Sequence, residues 1–540
     1  MGCRVPFRLV MAWLALLAAC AAMPAAARSR ITPYIEVQQV LDVPLSGSDG
    51  GDVLTYTTLA AGVDGTVRTR RMEATFSYRY ERRVAGSHDA GALDAHDGLA
   101  RVRLDVAPDV LSLEAGAIAT RARADIRGEA PPTMLIGNQR NISQVYGIYA
   151  GPTLASRLGA FDVGATYRFG YVKADGRSGA VLAPGQPRLD SYDSATSQNA
   201  TASIGMRPGL LPFGWTVSAG YDREDARQLD QRYEGKYARA DLLLPVSPTL
   251  ALTGGVGYEH IRATQRDPLR DAGGNPVLDG GDRFVTDPVS PRRLAYDTDG
   301  LIYDGGVVWK PNRRVTLEAR GGYRYGGVSY TGSLTYRISP HSGLQAGVYD
   351  RIDSFGRSLL RDVAALPTSF ALSNSSFADN PGGCVAGTAP GTGGCFDDAF
   401  QSISTANFRS RGVFALYSAS RGPWNASLGG GYAWRKYLAP ADGAFFSLDG
   451  VEDRSIMIQG TLDRRLTRVS GIGTIVYANW YKSGIASARN VTSLGGSASY
   501  YRTFGERLIA NASIGIYGYD RDGMESVASG TALVGMRYQF

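Results

Sequence analysis

The sequence predicts an all-β protein: a transmembrane, antiparallel, up-and-down β-barrel of about 22 strands (roughly 18 to 22), with short periplasmic turns and long external loops. Composition, alternation along the strands and the pattern of connections predict it. Gly supplies 68 and Tyr 30 of the 540 residues, whereas charged residues make up only 20%. With 44% hydrophobic residues the chain is not disordered, and a mean hydropathy of −0.15 excludes a bundle of membrane helices.

Alternation at period two is the primary signal for strands with two different faces. Met72, Ala74 and Phe76 alternate with Glu73 and Thr75. The ranges 161–171 and 315–324 repeat the pattern. A soluble β-sandwich also alternates, but it does not usually keep Arg, Asp and Thr on one face throughout so long a chain. An outer-membrane barrel does, because lipid covers one face and a polar lumen the other.

Short connections recur at every second junction, and longer Asp/Gly/Pro-rich connections mostly fill the junctions between. Short ones lie at 107–109, 246–248, 310–312, 339–341, 420–423 and 504–506, and long ones at 85–97, 176–197, 264–300 and 354–404. A hairpin at 325–327 is predicted to be a tight external turn. This alternation of short and long connections places both termini on the periplasmic side and requires an even number of strands.

The two ends of the chain resemble the targeting signals of outer-membrane proteins. Residues 1–27 read as a signal peptide, with Arg4 and Arg8, an apolar run and a small-residue end before Arg28. A lipoprotein cleavage site at Cys20 is an alternative. The final Tyr538 and Phe540 resemble the C-terminal assembly signal of outer-membrane barrels. We therefore expect a barrel over 28–540 in the outer membrane of a Gram-negative bacterium, in contact with outer-membrane lipid and the barrel assembly machinery during biogenesis.

Cysteine and histidine are scarce, which limits the chemistry available. Cys384 and Cys395 flank a short Gly/Thr/Pro segment in a long loop, and we expect a disulfide, with two free thiols as the alternative. No G-x-S-x-G or H-E-x-x-H motif occurs, and His88 and His96 are interpreted as polar loop residues. We expect no enzymatic activity, cofactor or metal. No basic run exceeds a pair, so no nucleic-acid partner is expected.

The polar face of the strands is predicted to line the lumen. The candidate cations are Arg79, Arg101, Arg103, Arg168, Arg239, Arg320, Arg409 and Arg411, and the candidate acids are Glu73, Asp105, Asp162, Asp241 and Glu318. Many of them are expected to pair across strands. The sharper hypothesis is a surplus of arginine that makes a mildly anion-favouring channel, because charge rings set selectivity in pores. Small anionic or saccharide solutes would fit such a lumen.

The runs Ile31–Val37, Asp52–Thr57 and Ser77–Arg83 resemble an uncharacterised family of large outer-membrane barrels from sphingomonad-type bacteria. Similar stretches follow within 218–235, and the resemblance covers most of the mature chain. The family is distantly similar to barrels of exopolysaccharide loci. Some relatives carry the label of a preprotein translocase accessory subunit, a small protein with one inner-membrane helix, which this sequence does not support.

Three functions remain open from the sequence. The first is a porin-like channel. The second is an exopolysaccharide-export or envelope-biogenesis barrel that works with periplasmic partners. The third is a surface protein that binds a ligand through the long loops 264–300 and 354–404.

Overall fold

The computed structural model describes residues 28–46, 53–85, 93–123, 142–175, 190–371, 383–396, 403–441, 447–485, 488–523 and 525–540. The predicted signal peptide, its alternative lipidation site Cys20, and His88 lie outside the described residues. Among the described residues, no helix is long and apolar enough to cross a membrane.

Twenty-two antiparallel strands form one sheet. The first eleven are β1 (Arg28–Ser46), β2 (Leu54–Arg68), β3 (Met72–Ala85), β4 (Leu93–Ala107), β5 (Leu111–Arg123), β6 (Ile142–Leu158), β7 (Phe161–Asp175), β8 (Ser194–Met206), β9 (Gly214–Ala226), β10 (Gln231–Pro245) and β11 (Leu250–Gln265). The others are β12 (Arg293–Asn312), β13 (Val315–Arg324), β14 (Gly327–Ser339), β15 (Ser342–Asp353), β18 (Asn407–Arg421), β19 (Trp424–Leu438), β20 (Glu452–Arg465), β21 (Ser470–Lys482), β22 (Val491–Phe504), β23 (Leu508–Arg521) and β24 (Val527–Gln539).

Each barrel strand pairs with the next one along the chain, and β1 pairs with β24 to close the ring. The predicted fold class, with its strand number, is therefore confirmed. Short turns and both ends of the sheet lie at one rim, and the longer loops lie at the other, as predicted. The exception at the external rim is also present: Tyr325 and Gly326 connect β13 to β14 with φ values of 55° and 72°. Two consecutive left-handed residues make the tight turn that a two-residue hairpin needs.

The outer face of the barrel is apolar. Val37, Leu242 and Ile514 are each more than half exposed, whereas Glu36 and Arg537, on the opposite face of their strands, are buried. A closed ring leaves no unpaired strand edge, and an apolar exterior requires lipid around it. The protein is therefore an integral barrel of the outer membrane of a Gram-negative cell.

The described residues of the connection between β15 and β18 (354–371, 383–396 and 403–406) lie inside the barrel, and they are called the inserted segment below. It contains α1 (Phe355–Ala365) and a small hairpin of β16 (Cys384–Ala386) and β17 (Gly393–Cys395). β15 and β18 pair directly, from Ser342–Ala419 to Asp353–Phe408. The wall is therefore continuous behind the inserted segment.

Glycine and tyrosine pair on the inner wall, which accounts for part of their abundance. The rings of Tyr34, Tyr149 and Tyr237 each lie over a glycine of a neighbouring strand. A Cβ added to Gly116 would lie 2.4 Å from Cε1 of Tyr149, and a Cβ added to Gly220 would lie 2.2 Å from Cε1 of Tyr237. Glycine therefore lets the aromatic ring lie close to the wall.

Candidate functional site

α1 forms because its local sequence has both a cap and an apolar face. Ser354 is the N-cap, and its Oγ accepts a hydrogen bond from the backbone N of Arg357 at 3.2 Å. Phe355, Leu359 and Val363 recur at helical spacing and are almost fully buried. The sequence analysis interpreted this stretch as part of a polar loop, although the cap and the spacing were both readable.

The apolar face of α1 packs against the inner wall of β4–β9. Ile118, Val145 and Val172 belong to the same buried cluster as Leu359. Glycine makes room for the helix: a Cβ on Gly170 would lie 2.3 Å from Cδ1 of Leu360. This cluster is a hydrophobic core inside the barrel, and burial of its apolar surface favours the inserted position of the helix.

Charged contacts fix the start of α1 to the wall. Glu224 on β9 accepts hydrogen bonds from Oγ of Ser354 at 2.5 Å and from Nε of Arg357 at 2.9 Å. The Arg357 guanidinium lies 3.5 Å from the centre of the Tyr233 ring. Arg361, one turn later, pairs with Asp353. The polar face of the helix is therefore satisfied by the wall.

The hairpin of the inserted segment reaches the periplasmic rim. A disulfide joins Cys384 to Cys395. The tip residue Gly391 donates its backbone N–H to Oγ of Ser418 at 3.0 Å. It also lies against Gly343, where a Cβ would stand 2.6 Å from the Gly391 nitrogen. Gly343 follows a short periplasmic turn. The inserted segment, whose ends lie at the external rim, therefore extends through nearly the whole depth of the lumen.

A second contact lies on the wall at β2 and β3. Oγ of Ser369 accepts from Nη2 of Arg68 and donates to Oε1 of Glu73, each at 3.2 Å. Both partners flank the periplasmic turn between those strands. The inserted segment thus contacts β5–β8 through α1, β18–β20 through the hairpin, and β2–β3 through Ser369. Its described residues therefore reach from one side of the inner wall to another.

A cavity of about 350 Å³ lies between α1 and the wall of β6–β11. Its charged side chains are Arg168, Asp222, Glu259, Arg324, Arg351, Asp353, Arg357 and Arg361. Tyr237 faces it, with the Arg324 guanidinium 5.7 Å from its ring centre. Tyrosine faces and paired charges suit a polar solute with ring or hydroxyl groups.

Of the predicted lumen residues, Arg79 lies in an ion cluster at the seam between the first and last strands. Its guanidinium binds Glu36 on β1 at 2.5 Å and Glu81 at 3.0 Å. Arg537 on β24 binds the same Glu36 at 2.9 Å. These buried charges therefore tie three strands together across the closure.

Arg239, Arg320, Asp241 and Glu318 form another inward cluster, beside a cavity of about 320 Å³. Arg320 binds Asp241 at 2.7 Å and Glu318 at 2.9 Å, and Arg239 binds Asp241 at 2.5 Å. Asp304, which the sequence analysis did not single out, joins both arginines. Two arginines meet three carboxylates here, so this cluster holds the wall and carries no surplus of cations.

A surplus of arginine occurs around Tyr149, on β4–β7. Glu114 binds Arg168 at 3.1 Å and Arg103 at 3.6 Å, and Arg103 also binds Asp105 at 3.1 Å. Arg101 is buried beside them, and its Nε and Nη1 meet no hydrogen-bond acceptor among the described residues. Three arginines thus share two carboxylates at this place in the lumen.

The other residues that were predicted to line the lumen lie either at the periplasmic rim or on the exterior of the barrel. Glu73 lies at the periplasmic rim with Ser369, and Asp162 binds Arg207 at 2.8 Å near a periplasmic turn.

Arg409 and Arg411 do not line the lumen as predicted, because they share the exterior face of β18 with Val413. Pairing of β14 with β15 reaches only Gly332–Val348 on the external side, and both guanidinium groups donate into the gap, to the Val328 carbonyl.

Three further predictions concern single residues. His96 lies on β4 and not in a loop, and its Nδ1 is 2.7 Å from Oη of Tyr78. Tyr538 and Phe540 contact each other edge to face, with ring centres 5.2 Å apart. Within the described ranges, no group of three or more His, Cys, Asp or Glu residues could hold a metal ion.

External loops brace the base of the inserted segment. The carboxylate of Asp190 accepts from Nε2 of Gln228 at 2.7 and 2.8 Å and from the backbone N of Phe284 at 3.0 Å. The adjacent Ser191 pairs with Ser404 in a β-bridge. Burial raises the pKa of Asp190 to about 7, because loss of water disfavours the charged carboxylate more than these hydrogen bonds favour it.

No protein-family model matches the chain, and no curated protein is significantly similar to it. The specific resemblance to a sphingomonad-type family therefore stays a prediction, while the large outer-membrane barrel is established. Solved structures of similar fold include the FrpB iron transporter from Neisseria meningitidis (F3-3 variant), with 12% identity over 94% of this chain and 81% of that chain and a TM-score of 0.41.

Two further structures are similar at the same level. The ferric-catecholate import receptor Fiu from E. coli K12, in its open form, has 11% identity, 94% and 81% coverage, and a TM-score of 0.44. The siderophore receptor PirA from Acinetobacter baumannii has 10% identity, 94% and 80% coverage, and a TM-score of 0.39. At such values the likeness carries no argument about what this chain binds or transports.

Proposed function

We propose that this protein is a gated outer-membrane transport channel, non-enzymatic, in which the inserted segment obstructs the lumen at rest and moves to admit a small polar solute. The observation that carries the proposal is the reach of the inserted segment. It runs from α1 at the external third of the wall to the hairpin tip against Gly343 and Ser418 at the periplasmic rim.

The cavity beside α1 supports a solute site above the obstruction. It is bounded on one side by the helix that would have to move and on the other by the fixed wall. A solute bound there would compete for the side chains that hold α1, among them Arg357 and Arg361. Occupation and opening would thus be linked, because a ligand shifts an equilibrium by its different affinity for the two states.

The arginine surplus around Tyr149 favours anions among the polar solutes. Arg101, Arg103 and Arg168 face two carboxylates, whereas the cluster of Arg239 and Arg320 has three carboxylates for its two arginines. An excess cation in a low-dielectric wall attracts anions and repels cations.

The test is to remove the obstruction without changing the wall. Asp353 pairs with Phe408, so a short Gly-Ser turn can replace residues 354–406 and join β15 to β18 directly. In a planar bilayer we expect the native protein to conduct rarely and the shortened protein to show large, stable openings.

A matched control shortens a different external loop. Residues 271–275 can be replaced by the same turn, because Arg270 and Pro276 already form a β-bridge. The change leaves Phe284 and its hydrogen bond to Asp190 in place. This control should conduct as rarely as the native protein. Equal, steady conductance of all three proteins would contradict gating by the inserted segment, and a silent shortened barrel that still folds would contradict the channel itself.

A further inference from the structure

An excess of cations lies on the exterior of β18–β21, at the external end of the wall. The cations are Arg409, Arg411, Lys436, Arg454 and Lys482, all on the outward face of their strands. Asp350 and Glu452 are the carboxylates on this face, and Asp350 is buried in its pairing with Arg411 at 3.2 Å. Among the described residues, Arg454 and Lys482 have no ion-pair partner. Five cations of the described residues therefore face two carboxylates.

At the same height on β9–β12 the numbers of cations and carboxylates are equal. The excess of cations is therefore confined to one arc of the barrel. There, Arg223, Arg232, Lys236 and Arg262 face Asp225, Glu234, Asp297 and Asp299. Arg223 and Arg232 each bind Asp225 at 2.7 Å, and Lys236 binds Glu234 at 2.6 Å. An ordinary solvated rim has this mixed character.

Directly below the excess cations the lipid-facing wall has an apolar groove of about 710 Å³. The groove exists because one cross-strand row is small: Ala346, Ala415 and Gly430 are neighbours, with Leu334 and Ile458 at its ends. The row above it carries larger side chains, including Val348, Val413 and Tyr432. The depression is therefore built by the sequence of three adjacent strands.

Aromatic side chains mark the depth of the two features. Trp434 lies between Arg411 and Arg454 in their cross-strand row. The Arg411 guanidinium is 5.4 Å from its ring centre, and Tyr432 lies between this row and the groove. Tyr and Trp concentrate at the depth of lipid headgroups in membrane proteins. The cations consequently lie at headgroup depth and the groove lies at acyl-chain depth.

We propose that this arc is a binding site for an anionic, acylated lipid of the outer leaflet, with its phosphate groups on Arg411, Arg454 and Lys482 and an acyl chain in the groove. Charge favours this occupant over a second copy of the chain. A two-fold interface through the same face would bring the two sets of cations toward each other, whereas a phosphorylated headgroup neutralises them.

The test uses the full-length protein in neutral detergent and native mass spectrometry with two probes, bis-phosphorylated lipid A and zwitterionic phosphatidylcholine. We expect preferential binding of lipid A. The double variant Arg454→Gln/Lys482→Gln should weaken it by roughly 25-fold, at about fivefold for each cation near a charged lipid. The matched variant Lys236→Gln/Arg262→Gln removes equal charge from the balanced arc and should bind lipid A as the native protein does.

A second variant separates the groove from the charge. Ala415→Phe fills the groove and leaves every cation in place, so it should weaken lipid A binding while the heat-dependent gel mobility of the folded barrel is kept. The proposal is overturned by equal binding of both lipids, by an equal loss in the control pair, or by a dimer that forms through this face and excludes lipid A.

Discussion

Asp190 is a single carboxyl group on which three external loops converge. It receives hydrogen bonds from Gln228 and Phe284, and the next residue pairs with Ser404 at the base of the inserted segment. Its pKa of about 7 lies well above the usual value of an aspartate because of burial. The Asp190 carboxyl group therefore keeps its proton to a higher pH when the loops are docked than when they are undocked.

This sets a pH dependence for loop docking. The contribution of Asp190 is fully present below 3.8, the pKa of the carboxyl in the unfolded chain, and is lost as the pH rises through about 7. Hydrogen exchange of amides around Phe284 and Ser404, corrected for intrinsic rates, should accelerate by about tenfold or more between pH 5.5 and 8.5, because one pKa unit corresponds to a factor of ten. Asp190→Asn should remove most of that dependence. An unchanged dependence in the variant would assign it to another group.

For single residues, the sequence predicts the strand face on which a side chain lies better than it predicts the partner of that side chain. Alternation alone places Arg79, Arg168 and Arg320 on the inner wall, where the structure has them. For Arg409 and Arg411 it does not show which face is outward, because β18 carries apolar residues on both faces. Nor can it find Asp304 or Glu36 as shared partners, because register between strands is a non-local property.

α1 is the element on which the inserted segment depends. Its buried face joins the core formed with β4–β9, and Glu224 holds its first turn. Helical spacing and a serine cap were readable in the sequence, but they did not show that an external loop would turn into the lumen. That outcome depends on glycine at Gly170 and small residues nearby on the wall, which become neighbours only when the barrel closes.

Removing one buried side chain should loosen this element selectively. Leu359 is fully buried in the cluster, so Leu359→Ala should cost about 2–5 kcal/mol of docking free energy. We expect faster hydrogen exchange in α1 and more frequent openings in a bilayer, with unchanged barrel unfolding. Leu210→Ala, at a position 79% exposed in a periplasmic turn, is the control and should change neither. Identical behaviour of the two variants would show that α1 is not held by its apolar face.

For the whole molecule, the wall and the obstruction are separable, and so are their contributions to transport. In the barrel shortened by replacement of 354–406, selectivity is left to the lining of the wall. The cluster around Tyr149 is the part of that lining with excess positive charge.

Ion selectivity of the shortened barrel tests that assignment. Under a salt gradient, Arg101→Gln/Arg168→Gln should move the reversal potential away from anion preference, because two cations leave a cluster that had one in excess. Arg320→Gln/Asp241→Asn removes one charge of each sign from the cluster of two arginines and three carboxylates, and it should leave the reversal potential in place. If the second pair shifts it as far as the first, selectivity is not set at Tyr149.

The barrel architecture could be predicted from the sequence, because the alternation along strands, the spacing of turns and the pattern of the final strand all depend on local geometry. The content of the lumen was not accessible, because it depends on contacts between residues more than a hundred positions apart, such as Ser369 with Arg68.

Because β15 and β18 are neighbours in the sheet, the inserted segment is a detour and not a part of the wall. Both of its ends are fixed at the same rim, so it can swing without ever leaving the molecule. A lineage could therefore lengthen, shorten or exchange it, and with it the solute admitted, without shifting the register of any of the surrounding strands. The barrel is in this sense a fixed frame around a replaceable part.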